Sequence, residues 1–426
     1  MSRKKDRVWK SDIKTMLRAR NIQNLSEANL TGSRQTTAAS DSNGPILTWE
    51  DELGPAKVLY LYDPHCGLKA IVVLDNVARG PALGGVRMAP DVTPYEVFRL
   101  ARAMTLKSAA AGLPLGGGKA GIVADPSAGN REALLRSFAR GIAELGEYIP
   151  GPDMGTDESS MAIIHEEIGR AAGLPRSLGG IPVDEIGATG FGLCVCAEVA
   201  AEYIGLNLKG ARLSVEGFGH VGEHAARFLA HKGSVLVVAS DIQGLVFDPN
   251  GLDLVALARA KREGGTVLAY DRGGRKLAKE EIFSLPCDIF IPAARPGTLR
   301  RDNALNFRSR LVLQGANIPA TIEAERILHD RGILVIPDII ANVGGLICCS
   351  VEYQGGNEET VFATIKEKIS KNTETLLERL SEKVLPRDAA MRLAQERLGE
   401  TMGSRERALF DAKTKESFHD LTGGDR

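Results

Sequence analysis

Residues 212–241 read RLSVEGFGHVGEHAARFLAHKGSVLVVASD, and the organisation of the chain is best understood from this stretch. A short apolar run is followed by three glycines, Gly217, Gly219 and Gly222, then by a segment with helical spacing and a second apolar run that ends at Asp241. A GxGxxG pattern alone is a weak signal, but here strand, glycine loop, helix, strand and acidic residue follow in order. The stretch therefore predicts one βαβ unit of a parallel sheet.

The glycines of this unit suit a dinucleotide ligand. Gly217 allows a tight turn, Gly219 lets a diphosphate approach the backbone, and Gly222 lets helix and strand pack closely, while the helix N-terminus faces the anion. Asp241 is placed to hydrogen-bond the adenosine ribose. Residues 240–251, SDIQGLVFDPNG, contain no Lys or Arg for a 2′-phosphate. NAD is therefore favoured, and NADP stays an alternative if a cation folds in from elsewhere.

Three further apolar runs follow the βαβ unit. They are CDIFIPAA, LVLQGAN and GILVIPD, at residues 287–294, 311–317 and 332–338, with helical or polar segments between them. This alternation predicts a doubly wound parallel sheet. An alanine-rich helix is predicted to begin after Thr189, and the chain beyond residue 359 has the composition of charged helices.

The part of the chain before residue 180 also alternates strands and helices. Two β-branched or aromatic runs between residues 57 and 80 are separated by Asp63-Pro64, which predicts a pair of strands joined by a turn. Helical spacing over residues 94–112 ends at a glycine, and a second helix is predicted over residues 130–149. These elements predict a second α/β domain.

Three glycines precede Lys119 in GLPLGGGKAGIVADP, residues 112–126. A phosphate-binding P-loop is excluded, because Leu113 stands at its first glycine position and Ala120 at its hydroxyl position. Apolar flanks predict a buried loop lysine with a lowered pKa, usable as a base, and the glycines are expected to leave room for a ligand. With Lys107 at the end of the preceding helix, the pattern predicts a site for an amino or keto acid.

Composition and charge favour a small-molecule partner. A chain of 426 residues is longer than one hydrophobic core usually supports. With 53 basic and 54 acidic residues, the net charge of −1 gives no attraction to nucleic acid or a membrane surface. No apolar run approaches the roughly 20 residues that cross a bilayer, so a cytoplasmic protein is expected. Six cysteines lack metal-site spacing and are interpreted as reduced core thiols, and no metal site is predicted.

Residues 1–45 differ from the rest in composition. They are basic at first and then polar and small, which predicts a flexible basic arm followed by a linker. A mitochondrial transit peptide would also be basic, but Asp6 and Asp12 argue against it.

Eight motifs occur in a fixed order between residues 53 and 402: GPALGGVRM, ARAMTLKSAAAGLPLGGGKAGIVADP, GPDMGTD, ATGFG, EGFGHVG, IPAA, QGAN and IPDIIANVGG. In these motifs and in their order, the chain resembles the glutamate/leucine/phenylalanine/valine dehydrogenase family. The resemblance implies NAD(P)-dependent oxidative deamination of an L-amino acid to a 2-oxo acid and ammonia. It also implies an α/β fold of two domains, with a helical C-terminal segment that returns to the first domain.

The resemblance implies the following division of the chain. After the arm come a substrate-binding and catalytic domain over residues 46–180 and a Rossmann NAD-binding domain over residues 181–344. Helices over residues 345–426 are expected to pack on the substrate domain. Members of the family usually form hexamers or octamers, so a homo-oligomer is expected.

Three residues match the family's catalytic positions. Lys107 corresponds to the lysine that holds the substrate α-carboxylate. Lys119 corresponds to the lysine that binds and activates the water attacking the imine. Asp153 corresponds to the carboxylate that moves protons to and from the substrate nitrogen, and such groups fit general acid–base chemistry near pH 7.

Other residues match positions around the nicotinamide. Thr189 and Asn317 correspond to residues that contact its carboxamide, and Asn342 to a residue beside both nicotinamide and substrate. His165 and His220 match no functional position of the family and are interpreted as structural.

Two positions bear on the choice of amino acid. Family members that use glutamate carry a lysine in the motif matching GPALGGVRM and a serine after NVGG, and here those places hold Leu83 and Cys349. A substrate carboxylate there would be unpaired and desolvated, so leucine, valine or phenylalanine is favoured. The later motifs are closer to glutamate enzymes, so glutamate dehydrogenase is the alternative. A catalytically silent regulatory protein is a third, against which the presence of Lys107, Lys119 and Asp153 argues.

Overall fold

The computed structural model describes residues 49–381 and 383–420, with side-chain surroundings as far as residue 404. The arm predicted for residues 1–45 lies outside the described residues. The described chain is mixed α/β structure with two sheets followed by helices, which confirms the predicted fold class. Within it, no helix is both long enough and apolar enough to cross a membrane.

The first sheet contains five strands: β1 (Lys57–Asp63), β2 (Leu68–Asn76), β3 (Ala82–Ala89), β4 (Gly116–Val123) and β5 (Tyr148–Pro152). Their order across the sheet is β1-β2-β4-β3-β5. β1 and β2 form the predicted antiparallel pair, and β2 is also antiparallel to β4. β3 lies between β4 and β5 and runs parallel to both, so the carboxyl ends of these three strands meet at one edge.

The second sheet contains seven strands: β6 (Arg212–Glu216), β7 (Val235–Ser240), β8 (Leu245–Phe247), β9 (Arg275–Leu277), β10 (Ile289–Pro292), β11 (Leu311–Leu313) and β12 (Leu334–Ile336). Their order is β12-β11-β10-β6-β7-β8-β9. The predicted parallel sheet is confirmed for the strands from β12 to β7. The sheet then continues into two antiparallel edge strands that the sequence pattern did not indicate.

The helices in chain order are α1 (Pro94–Ala110), α2 (Arg131–Gly141), α3 (Glu158–Ile168), α4 (Val183–Ile186), α5 (Ala188–Tyr203), α6 (His220–His231), α7 (Leu254–Gly264), α8 (Arg301–Ala304), α9 (Ile322–Asp330), α10 (Asp338–Ala341), α11 (Gly344–Tyr353), α12 (Glu358–Glu378) and α13 (Pro386–Asp420). Short 3₁₀ segments occupy Arg176–Leu178, Val267–Ala269 and Lys279–Phe283. The last helix, α13, packs against α1, so the C-terminal helices return to the first sheet as predicted.

Helix α1 begins and ends where the sequence indicates. The hydroxyl of Thr93 caps its first turn by accepting from the backbone N–H of Glu96, and proline occupies the first helical position. The helix ends before Gly112, whose φ of +66° is readily available to glycine. Lys107 therefore lies in the last turn, at the end of α1 nearest to β4.

The glycines before Lys119 belong to strand β4 and not to a loop, which corrects the sequence prediction. A Cβ on Gly116 would lie 2.0 Å from a carbonyl oxygen of β2, and one on Gly117 would lie 2.0 Å from the backbone nitrogen of Thr105 on α1. These glycines therefore make room for neighbouring backbone, whereas the sequence suggested room for a ligand. Their consequence is the close approach of α1 to β4, the two elements that carry Lys107 and Lys119.

The second predicted helix is also shorter than expected. It ends at Gly141, and residues 148–152 form strand β5 instead. Tyr148 and Ile149 pair with Ala82 and Leu83 of β3. This pairing joins segments far apart in the chain, so local helical spacing did not reveal it.

Candidate active site

Lys119 and Asp153 meet on one face of the first sheet, over Gly85 of β3. Lys119 lies in β4, Asp153 directly follows β5, and the Lys119 Nζ lies 3.0 Å from the Asp153 Oδ1. Strand β3 runs between them, and Gly85 is the residue below their contact. A Cβ on Gly85 would lie 2.7 Å from the Asp153 Cβ and 3.1 Å from the Lys119 Nζ. The lysine and the carboxylate can therefore pair only because this position has no side chain.

Arg87 is a third charged group at this site, and the sequence analysis assigned it no role. Its Nε donates to the Asp153 Oδ2 at 2.8 Å, and its other end pairs with Glu96 of α1. Arg87, Gly85 and Leu83 alternate along β3, so they share the face that also presents Lys119 and Asp153. The sequence signal was available, because Arg87 belongs to the quoted motif GPALGGVRM.

The charges of this group shift the pKa values of its members. Burial lowers the pKa of Lys119, and the Asp153 carboxylate only partly opposes this. Burial would raise the pKa of Asp153, but the Lys119 and Arg87 cations outweigh it and hold that pKa below its usual value. The site therefore combines an ionised carboxylate with a lysine that gives up its proton more easily than a solvated one, an arrangement suited to proton transfer.

Lys107 links α1 to the second sheet. Its Nζ donates to the Asn317 Oδ1 at 2.7 Å, and the Asn342 Nδ2 donates to the same oxygen at 3.0 Å. Asn317 follows β11 and Asn342 follows α10, so the structure brings three of the sequence-predicted residues into one hydrogen-bonded group. Burial lowers the pKa of Lys107, and nearby Lys119 lowers it further. The two lysines therefore face a common space.

The glycine loop has the geometry that a dinucleotide requires. Gly217 has a φ of +87°, and a Cβ there would lie 2.6 Å from the backbone of Ala294. A Cβ on Gly222 would lie 2.2 Å from the Gly217 carbonyl oxygen, whereas Gly219 has nothing within 4 Å of its Cβ position. The loop opens on a groove of about 600 Å³ at the N-terminus of α6. Bare backbone, open space and a helix N-terminus fit a diphosphate.

The turn at Asn342 also has an unsatisfied polar group. The Asn342 Oδ1 is buried and accepts no hydrogen bond from any residue that the structure describes. An amide N–H such as that of a carboxamide would satisfy it. Thr189 lies in the first turn of α5, and its hydroxyl lies 3.0 Å from the position of a Cβ on Gly345. The starts of α5 and α11 therefore meet beside Asn342.

Asp241 is held by four protein donors. Its carboxylate accepts from the backbone N–H of Val267 at 2.7 Å and of Gln243 at 2.9 Å, from the Lys261 Nζ at 3.1 Å and from the Thr266 hydroxyl at 3.2 Å. A carboxylate has about four acceptor positions, so a ribose hydroxyl would have to replace one of these donors. Ribose recognition by Asp241 stays a prediction with this added condition. Lys261 is a cation supplied from outside residues 240–251, and no local pattern revealed it.

Leu83 and Cys349 lie in apolar surroundings. Leu83 is 3% exposed and belongs to the same apolar cluster as Ile149 and Ala172, and the partly buried Cys349 packs against that cluster. Burial raises the pKa of the Cys349 thiol to about 12, so the thiol is neutral. Leu83 lies two residues before Gly85, on the face of the sheet that carries Lys119. Neither Leu83 nor Cys349 therefore brings a charge to the site.

His165 and His220, which the sequence analysis interprets as structural, do not belong to the group formed by Lys119, Asp153 and Arg87. His220 begins α6 and pairs with Asp184 at 3.3 Å on an exposed surface, and His165 lies in the last turn of α3. No cluster of His, Cys, Asp and Glu side chains among the described residues could hold a metal ion.

Comparison with known proteins agrees with this geometry. Residues 55–170 match the family model described as Glu/Leu/Phe/Val dehydrogenase, dimerisation domain, and residues 179–405 match Glutamate/Leucine/Phenylalanine/Valine dehydrogenase. Among solved structures, a hetero-hexameric glutamate dehydrogenase from Thermus thermophilus in a leucine-bound form is 31% identical with a TM-score of 0.73, covering 82% of this chain and 90% of that one. L-tryptophan dehydrogenase from Nostoc punctiforme is 28% identical with a TM-score of 0.66, covering 82% and 98%.

Curated relatives give the same result. Glutamate dehydrogenase from Aeropyrum pernix is 38% identical over 353 residues, or 77% of this chain and 84% of the relative. The enzyme of that name from Thermotoga maritima is 43% identical over 66% of this chain and 71% of its own length. NAD-specific glutamate dehydrogenase from Staphylococcus aureus is 36% identical, covering 71% and 78%. The chain is thus an amino acid dehydrogenase, and it belongs to the glutamate/leucine/phenylalanine/valine dehydrogenase family.

Proposed function

We propose that this enzyme catalyses the reversible, NAD-dependent oxidative deamination of an apolar L-amino acid, such as leucine, valine or phenylalanine, to the 2-oxo acid and ammonia. One observation carries the choice of substrate. Leu83, on the same face of the sheet as Lys119 and Asp153, is buried in an apolar cluster with Ile149. A substrate carboxylate beside Leu83 would lose its water and gain no cation from Leu83 or Cys349, whereas an aliphatic or aromatic side chain would gain apolar contacts.

The site residues have distinct roles in this proposal. Lys107 binds the α-carboxylate, and its bond to Asn317 keeps it near the cofactor end of the cleft. Asp153 exchanges protons with the substrate nitrogen, and Lys119 orients and activates the water that attacks the imine carbon. Arg87 holds Asp153 at its second oxygen. The bound nicotinamide would supply the hydride acceptor, with Thr189, Asn317 and Asn342 around its carboxamide.

The cofactor in this proposal is NAD, held by Gly217, Gly219 and Gly222. The Staphylococcus aureus relatives are named NAD-specific, which supports the choice. NADP stays the alternative, because the Lys261 Nζ lies 3.1 Å from Asp241 in the same groove. That cation could pair with a 2′-phosphate if Asp241 moved aside.

The proposal extends to the assembly. The match to a dimerisation domain and the hetero-hexameric Thermus thermophilus relative support an oligomer, and we expect a homo-oligomeric hexamer or octamer. Residues 46–180, 181–344 and 345–426 are our proposed substrate domain, Rossmann domain and C-terminal helices. We also expect the enzyme to be cytoplasmic and to act on free amino acids.

Glutamate is the second candidate substrate. Curated relatives from Aeropyrum pernix and Thermotoga maritima, 38% and 43% identical, are named glutamate dehydrogenases. The experiment that separates the candidates measures NADH formation by the purified enzyme with each L-amino acid in turn. Highest kcat/KM with leucine, valine or phenylalanine supports the proposal, and highest kcat/KM with glutamate contradicts it. No turnover with any of them would point to a catalytically silent protein.

Leu83→Lys tests the pocket directly. A cation at this position would pair with a side-chain carboxylate and disfavour an apolar side chain, so kcat/KM for glutamate should rise and that for leucine should fall. We expect the ratio of the two to change by at least about tenfold, the result of about 1.4 kcal/mol. Leu83→Met, which keeps the position apolar, is the matched control and should retain the original preference. An unchanged ratio in the lysine variant would show that Leu83 does not face the substrate side chain.

A further inference from the structure

The turn that presents Asn317 is strained. The next residue, Ile318, has a φ of +46° and is the only non-glycine residue in the left-handed region within the described part of the chain. β-branched residues rarely adopt this conformation, and Pro319 further restricts the residue before it. Such strain persists only where the surrounding structure holds it, and it is concentrated at functional sites.

Asp338 is the side chain that holds this turn. Its Oδ2 accepts from the backbone N–H of Ile318 at 3.0 Å, while the Ile318 carbonyl accepts from the backbone N–H of Gly297 at 3.0 Å. Both backbone groups of the strained residue are therefore fixed. Asp338 is 5% exposed and begins α10, four residues before Asn342.

Arg387 holds Asp338 in turn. This arginine lies in the first turn of α13, and its Nη1 lies 3.0 Å from the Asp338 Oδ1. The same guanidinium donates to both carboxylate oxygens of Glu325 and to the Gln314 Oε1 at 2.8 Å. Gln314 also accepts from the backbone N–H of Asp338 at 3.1 Å. A largely buried network thus ties α13 to the Asn317 turn; within it the Asp338 Oδ1 has the Arg387 ion pair but no hydrogen bond from any residue that the structure describes.

The network also reaches Lys107 through its charge. The charges of three groups act on the Lys107 ammonium: Asp338 of α10, Lys119 of β4 and Arg387 of α13. Burial lowers the pKa of Lys107, Asp338 raises it, and Lys119 and Arg387 lower it further. Asp338 and Arg387 therefore act on this lysine in opposite directions, although they are partners in one ion pair.

We propose that Asp338 and Arg387 are positioning residues that hold the Asn317 turn in its strained form and act through their opposite charges on the Lys107 ammonium, which Asn317 binds, and so control binding of the substrate carboxylate. This inference rests on the role given to Lys107 in the proposed function. It gives a role to two residues to which the sequence analysis assigned none. It also explains why the C-terminal helix carries a buried arginine next to the nicotinamide-binding turn.

Because Asp338 and Arg387 shift the pKa of Lys107 in opposite directions, variants of the two residues should change the pH dependence of binding in opposite directions. A purely structural role would not produce this result. Carboxylate binding requires protonated Lys107, so affinity falls as pH rises through the pKa of this lysine. Asp338→Asn removes the negative charge that stabilises the protonated form of Lys107. The alkaline limb of the curve of affinity against pH, where affinity is lost, should therefore move to lower pH by about one unit. Arg387→Gln removes an opposing positive charge and should move it to higher pH.

The measurement is calorimetric binding of two unreactive carboxylates, 4-methylpentanoate and glutarate, to the full-length enzyme with NADH present, from pH 6 to pH 10. Because no turnover is needed, the result is independent of the substrate panel, and an inactive enzyme would contradict the proposed function without deciding this inference. Asp288→Asn is the matched control. The Asp288 carboxylate pairs with Arg212 at the start of β6, the end of that strand away from the glycine loop. The alkaline limb of this variant should coincide with that of the unaltered enzyme.

Limbs that move in opposite directions in the two variants support the inference. Limbs that stay in place, or that move in the same direction, overturn it. Arg387→Gln leaves the Glu325 carboxylate buried without its cation and endangers folding. The double variant Glu325→Gln with Arg387→Gln removes both charges and replaces the single variant if that one does not fold. Its alkaline limb should show the same shift to higher pH.

Discussion

At the residue scale, the contact between Lys119 and Asp153, the proposed catalytic pair, depends on the absence of a side chain at Gly85. The Lys119 ammonium and the Asp153 carboxylate approach to 3.0 Å above this glycine. Gly85→Ala would place a Cβ 2.7 Å from the Asp153 Cβ and 3.1 Å from the Lys119 Nζ, so one of the two must move. A displacement near 1 Å costs about 100-fold in rate, and we expect a loss of kcat of that order at saturating substrate.

A matched glycine provides the control for this change. Gly146 has nothing within 4 Å of its Cβ position and no positive φ, so Gly146→Ala should leave kcat unchanged. The KM for NAD should also be unaffected by Gly85→Ala, because the glycine lies in the first sheet and the cofactor groove in the second. A Gly85→Ala enzyme with normal kcat would mean that the pair tolerates separation.

Glu216 is a buried acid in the cofactor groove. It ends β6 directly before the glycine loop and accepts a hydrogen bond from the Thr298 hydroxyl at 2.9 Å. Burial raises its pKa from 4.5 to about 7, while Thr298 and Arg295 only partly oppose this. A bound dinucleotide adds phosphate charge to the same groove, so the neutral acid is the form suited to binding.

The raised pKa of Glu216 makes stability depend on pH. Between pH 4.5 and about 7 the folded protein binds a proton that the unfolded chain has lost, so stability falls as pH rises through this window. Glu216→Gln removes this effect without changing the shape of the side chain. At pH 8 we expect the variant to be more stable by up to about 3 kcal/mol, and at pH 4.5 to have little advantage. Urea denaturation at both pH values measures this. Glu185→Gln, an exposed acid, should show no such pH-dependent gain, and an equal gain there would contradict the assignment.

At the element scale, strand β4 shows what the sequence can and cannot predict. The βαβ unit around Gly217 was predicted correctly because its signals are local: apolar runs, glycine spacing and an acidic residue within one stretch. The sequence predicts a loop for residues 116–119, the first half of β4, because three consecutive glycines weaken any strand pattern. Those glycines serve contacts with β2 and α1, segments distant in sequence, and only the packed structure reveals that purpose.

The same distinction between local and distant contacts applies to the site. Lys107, Lys119 and Asp153 were found from motifs, and the structure brings Lys119 and Asp153 into contact. The structure adds Arg87 and Arg387. Arg87 lies inside a motif, and its two-residue spacing from Gly85 on an alternating strand was a usable signal. Arg387 pairs across 49 positions with Asp338 (387 − 338 = 49), and no sequence period reports such a partner.

At the scale of the whole molecule, side chains of the C-terminal helices bind the carboxyl end of α1. Helix α1 leaves its last carbonyl groups without intrahelical partners, and cations from distant segments satisfy them. The Arg397 guanidinium donates to the carbonyl oxygens of Ala109 and Ala110, and the Lys368 ammonium donates to that of Gly112 at 3.2 Å. Because α1 carries Lys107, Lys368 and Arg397 of the C-terminal helices support the helix that holds the proposed carboxylate-binding lysine.

Arg397→Gln tests this support. The change removes charged hydrogen bonds to the end of α1 and to the Asn372 Oδ1, and charge-assisted bonds of this kind contribute about 1.5–3 kcal/mol. We expect the variant to unfold at a lower temperature and to show a raised KM for the amino acid, since the last turn of α1 is no longer fixed. The control is Arg379→Gln, because Arg379 pairs with Glu396 on the surface and such pairs contribute about 0–1 kcal/mol. Calorimetric melting and steady-state kinetics on both variants distinguish the two cases. Equal melting temperatures would show that the C-terminal helices do not stabilise α1 through this arginine.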